Sequence, residues 1–103
     1  MPFKLSKNPT FKTTAKISVP TDDGLVDHTV EVRFRLLPKD DLQLPMPEFL
    51  GRAVINVDGI IDDAGVPLAW TTETADQCLA LPFFAAGLFK AYDYAVVGLK
   101  QGN

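Results

Sequence analysis

Few residues in this chain carry the groups from which catalytic or metal-binding sites are made. Hydrolysis or group transfer needs a nucleophile beside a base, two carboxylates held apart, or ligands converging on a metal. The chain has one cysteine, Cys78, and one histidine, His28. A dyad of the two would activate the thiol by withdrawing its proton. Cys78, however, precedes Leu79 and Leu81 in a helical stretch, which reads as a buried, inert thiol. His28 lies at the polar mouth of a hairpin pattern and reads as a solvated strand residue. Asn56, Asp58, Asp62 and Asp63 invite a calcium reading, but Ile60 and Ile61 interrupt the alternate-position pattern and no Glu follows in register. Turn and capping roles suit these acids better. No Walker A loop, dinucleotide glycine fingerprint or nucleophile elbow is present. The residue inventory points to a protein that is not an enzyme, with no catalytic group, no metal and no cofactor.

Whatever the chain does must then be done by surfaces, and surfaces depend on elements. A length of 103 residues fits one domain spanning 1–103 and is enough to bury a core without disulfides. The composition, 47% hydrophobic and 22% charged, is that of a globular domain. With 10 basic against 13 acidic residues the net charge is −3, so no basic field exists to attract nucleic acid or an anionic membrane. A lone cysteine and the lack of an apolar leader in Met1-Pro2-Phe3-Lys4-Leu5-Ser6-Lys7 make a reducing cytoplasm the expected compartment.

Phe11, Thr13, Ala15, Ile17 and Val19 alternate with Lys12, Thr14, Lys16 and Ser18, the period of a strand with one buried face. Val30, Val32, Phe34 and Leu36 alternate with Glu31, Arg33 and Arg35 in the same way. Pro20-Thr21-Asp22-Asp23-Gly24 between them has tight-turn chemistry, so the two runs predict a β-hairpin. The prolines of Leu37–Pro47 predict a connector with one short turn around Lys39–Gln43. Phe49, Leu50, Ala53, Val54 and Val57 recur at helical spacing after Pro47 and predict a helix ending near Asp58-Gly59. Asp62-Asp63-Ala64-Gly65 predicts a tight loop or a tiny hairpin. Thr71 or Thr72 is a candidate N-cap for a helix over Glu73–Ala80, and Pro82 opens a last helix running to Leu99. The expected fold is α+β: an N-terminal antiparallel hairpin, with room for one added strand, covered by two or three helices.

The segment from Leu79 to Leu99 contains only Lys90 and Asp93 as charged residues. A surface helix should carry an apolar stripe and a polar face. Here Phe83, Phe84, Leu88, Phe89, Tyr92, Tyr94, Val96 and Val97 occupy nearly all helical directions. Three readings are open: burial on every side within the monomer, one face on the hairpin and another on a partner or second copy, or a membrane span. Lys90 and Asp93 in its middle weigh against the span at roughly 2.5–3.5 kcal/mol each. The partner-facing reading nominates Phe83, Phe84, Leu88, Phe89, Tyr92, Tyr94 and Val96.

The opening Phe3-Lys4-Leu5-Ser6-Lys7-Asn8-Pro9-Thr10-Phe11, the run Val32-Arg33-Phe34-Arg35-Leu36-Leu37-Pro38 and the segment Val57–Pro67 resemble the tail assembly chaperones of long-tailed bacteriophages and prophages. Leu81-Pro82-Phe83-Phe84 through Ala91-Tyr92-Asp93-Tyr94-Ala95 is similar to the closing helix of that group. The resemblance implies an α+β fold, self-association, and a non-catalytic task in the cytoplasm of the infected host: holding the tape measure protein soluble while the tail tube polymerises around it. It also implies contact with the tail tube protein and absence from the mature virion. A structural virion component, such as a tail completion or tube-related protein, is the alternative. Members of the family are often also made in a longer form by a −1 ribosomal frameshift, and Gly98-Leu99-Lys100 could be encoded by the slippery GGT-TTA-AAA.

Overall fold

The computed structural model describes residues 2–5 and 7–98. Two long strands, β1 (Thr10–Thr21) and β2 (Gly24–Arg35), form the expected antiparallel hairpin, with an unbroken register from Thr10↔Arg35 to Thr21↔Gly24. Its turn keeps Asp22 and Asp23 at negative φ and leaves the positive value, 108°, to Gly24, where no Cβ opposes it. The Thr21 hydroxyl donates to the Gly24 carbonyl at 2.6 Å and locks the turn.

The expected helix from Pro47 to Asp58 is only half as long. It ends as α1 (Met46–Ala53), and Val54–Asp58 forms β3, which pairs antiparallel with β2 to give a three-stranded sheet in the order β1-β2-β3. Both halves of this correction have physical causes. Val54, Ile55 and Val57 are β-branched and suit a pleated surface better than a helix. A register shift at Arg33/Phe34 places Ile55 outside the pairing, so Val54 and Val57, three apart, both face the core. That spacing imitates a helical one. The free edge of β2 also offers backbone partners that a longer helix would leave unused.

The remaining elements follow the sequence closely. A 3-10 turn occupies Lys39–Gln43. In the loop that follows β3, Asp62 accepts from the amides of Ala64 and Val66 at 2.8 and 2.9 Å, and Ile61 bridges Pro67. The helix α2 (Thr72–Leu79) is capped by the Thr71 hydroxyl, which accepts from the Thr74 amide at 3.2 Å. The last helix, α3 (Pro82–Val97), stops where Gly98 turns left-handed at φ 69°; the expected end at Leu99 and the Gly98–Asn103 coding question reach outside the described residues.

The core lies between the inner face of the sheet and α3. Ala15, Ile17, Val30, Val32 and Phe34 project from β1 and β2 onto Phe84, Leu88 and Tyr92, with Phe49 and Leu50 of α1 closing one side. At Gly87 the helix comes closest to β1: a Cβ there would stand 2.6 Å from Ile17 Cδ1 and 2.7 Å from the Lys16 carbonyl oxygen. That carbonyl belongs to the sheet's free edge. The Leu36 amide donates to the Pro9 carbonyl at 3.0 Å, so odd-numbered residues of β1 bond to β2 and even-numbered ones present their backbone outward. Helix α3 therefore shields the edge at Lys16, one of the ways a long edge strand is kept from adding another chain.

Gly87→Ala should lower unfolding stability by about 1–3 kcal/mol, because a methyl group must displace either Ile17 or the β1 backbone; chemical denaturation followed by circular dichroism measures it. An unchanged midpoint would show that the close approach is not tight.

Candidate functional site

The residues with chemical potential stay apart. Exposed His28 faces Ile17 across the hairpin, while Cys78 lies partly buried in α2 against the core, and no hydrogen bond joins them. Burial raises the Cys78 pKa, which disfavours the reactive thiolate. Among the described residues, no group of three His, Cys, Asp or Glu could hold a metal ion. Nor is any helix there long and apolar enough to cross a membrane.

The seven residues nominated as partner-facing divide by their direction around α3. Phe84, Leu88 and Tyr92, spaced four apart, point inward and are 7%, 0% and 4% exposed. They are core, which corrects their place on a partner-facing surface. The reason is geometric: at 3.6 residues per turn this row is the one that Gly87 presses onto the sheet. Tyr92 is the hub of an aromatic cluster, with ring centroids 5.9 Å from Phe11, 5.2 Å from Phe34 and 4.9 Å from Phe49. Its hydroxyl accepts from the Leu37 amide at 3.1 Å, so the one polar atom at the base of the cluster serves the chain as it leaves β2.

The other four lie on two flanks. Phe89 and Val96, seven apart, lean toward α1, where the Phe89 ring meets Phe49 edge-on at 5.6 Å. Phe89 remains 38% exposed and Val96 46%. Phe83 and Tyr94, with Lys90 between them, lean over β1; Phe83 is half-buried and Tyr94 is 53% exposed. Val97 adds to this flank at 61%. Of the three readings of the last helix, full enclosure does not describe the geometry, because one row is buried by the chain itself and two flanks stay exposed.

A groove of about 500 Å³ runs along the second flank, between β1 and α3. Its walls are Phe83, Ala86, Ala91 and Tyr94 on one side and Thr13, Thr14 and Ser18 on the other, with Lys16 and Lys90 at the rim. Lys90 has no ion pair among the described residues, and Lys16 reaches Asp27 only at 3.9 Å with both side chains largely exposed. Sequence reasoning missed the contribution of Lys16, Lys90 and the β1 hydroxyls, because it treated the helix alone. A second depression, of about 700 Å³, lies where α1, α2 and α3 meet, beside Met46, Leu79 and Ala85.

Comparison of the chain with protein-family models, with curated proteins and with solved structures returned no match in any of the three.

Burial now separates two substitutions that the helix pattern treats alike. Phe84→Asp should unfold the domain, at a cost of about 3–5 kcal/mol, whereas Phe89→Asp should keep the fold and lose about 1 kcal/mol with its edge contact to Phe49. Tyr92→Phe should lose about 1 kcal/mol by orphaning the Leu37 amide. Thermal melts of the three variants check the ranking, and equal losses for Phe84 and Phe89 would refute it.

Proposed function

We propose that this protein is a non-enzymatic holding chaperone of phage tail assembly, binding the tape measure protein in the cytoplasm of an infected bacterium. Two lines of support converge. The amino- and carboxy-terminal segments resemble that family, and the last helix bears more apolar surface than its own domain covers. The second line carries the reading. Phe89, Tyr94, Val96 and Val97 stay exposed on one helix of a small acidic domain, in a number unusual for a helix that serves only its own core.

The physics of the task suits this surface. A tape measure is long and largely helical, and its apolar stripe would aggregate if left in water. A rigid helix flank with an aromatic residue and a β-branched one can lie along such a stripe, as amphipathic helices lie in apolar grooves. Phe89 and Val96 form the flank best placed for it, since Phe89 is braced by Phe49 and loses little freedom on binding. The net charge of −3 keeps the free chaperone dispersed.

Calorimetric titration against a fragment of a phage tape measure protein tests the reading. The natural chain should bind, and the double substitution Phe89→Asp, Val96→Asp should weaken binding by about thirtyfold or more while the far-ultraviolet spectrum is kept. Failure of the natural chain to bind, or equal affinity of the folded double variant, would refute it. Mass spectrometry of purified particles should not find the chain; its presence there would favour a structural virion component instead.

A further inference from the structure

The β1–β2 hairpin extends beyond the body it covers. Residues 20–29 are all exposed, and the last buried residues on the inner face are Ile17 of β1 and Val30 of β2. This arm is chemically one-sided. Between Ile17 and Val30 it carries Asp22, Asp23 and Asp27 and no Lys or Arg. Its tip is also apolar on both faces: Val19 pairs with Val26 on one and Pro20 with Leu25 on the other, and Leu25 is 70% exposed. Exposed Leu25 and Val26 beside a locked two-residue turn leave apolar surface in water that a partner could cover.

The groove between β1 and α3 has the complementary chemistry. It offers an apolar wall of Phe83, Ala86, Ala91 and Tyr94 under a rim of Lys16 and Lys90 in a chain that is acidic overall. Its length also fits. From Phe83 to Tyr94 the helix rises about 16 Å, and from Ser18 to the turn the arm spans roughly 15 Å. Within one chain the tip cannot reach the groove, because the hairpin is paired without a break from Thr10 to Thr21 and the groove starts at its base.

We propose that the groove receives the acidic hairpin tip of a second copy of this chain, the two copies exchanging tips about a two-fold axis beside β1. Asp22 and Asp23 then meet Lys90 and Lys16 of the other copy, and Leu25, the more exposed aliphatic side chain of the tip, lies on its Phe83 and Ala86. The exchange is isologous, so it closes at two copies and does not propagate. Direct pairing of two β1 edges is the less favourable arrangement, because Gly87 already lies against the Lys16 carbonyl on that edge. The Phe89 and Val96 flank stays free, so the inference stands apart from the tape measure reading and either can fail alone.

Sedimentation equilibrium of the full chain across protein concentration tests it with a charge exchange. The natural chain should dimerise, more weakly at high salt. Asp22→Lys with Asp23→Lys should remove the dimer, as should Lys16→Glu with Lys90→Glu, each with an unchanged far-ultraviolet spectrum. An equimolar mixture of the two variants should form a mixed dimer again, because both tip-to-groove contacts are then opposite in sign. Dimerisation by either variant alone, or a mixture that stays monomeric while the natural chain dimerises, would overturn the proposal. So would a natural chain that is monomeric throughout, or one whose groove amides shift in NMR only on adding a glutamate-rich helical peptide, which would give the groove to a foreign partner.

Discussion

The seating of α3 on β1 is the constraint from which the rest of this structure follows. Gly87 lets the helix approach the strand until a side chain at that position would overlap the backbone. Close approach fixes the rotation of the helix, and the rotation decides which residues are core. Phe84, Leu88 and Tyr92 go inward, and Tyr92 gathers Phe11, Phe34 and Phe49 into one aromatic cluster that joins strand, helix α1 and helix α3. The edge-on contacts with Phe34 and Phe49 add about 0.5–1.5 kcal/mol each beyond burial. The Leu37 amide bound to the Tyr92 hydroxyl ties the end of β2 to the same hub.

That rotation also creates the surfaces. A helix with apolar residues in nearly every direction cannot bury them all against one sheet, and the two flanks it leaves differ in character. One is braced by Phe49 and purely apolar; the other overhangs β1 and mixes aromatic walls with lysines and hydroxyls. The proposed holding role draws on the first, and the proposed exchange between copies on the second. The same overhang protects the free edge of β1, so one packing decision both shapes a groove and limits uncontrolled strand addition.

Much of the fold was legible because the residues that specify it act locally. Period-two alternation in Phe11–Val19 and Val30–Leu36 announces the hairpin, Thr71 or Thr72 the start of α2, and Pro82 the start of α3. Val54–Asp58 misled for a stated reason: a register shift in its partner strand makes a helical spacing serve a strand, and that shift exists only once β2 and β3 pair. His28 and Cys78 read locally as a solvated strand residue and a buried thiol, and the structure leaves His28 exposed on the hairpin and Cys78 partly buried against the core.

The chain's own order of residues determined an α+β domain, a hairpin with an acidic tip and a last helix with surplus apolar surface, since composition, period and caps depend on neighbours in sequence. Tertiary structure alone decided which of that helix's residues are spent on the core and which remain outside, because the answer depends on the angle at which α3 meets β1. Lys16 and Lys90, far apart along the chain, become the rim of one groove only through that contact.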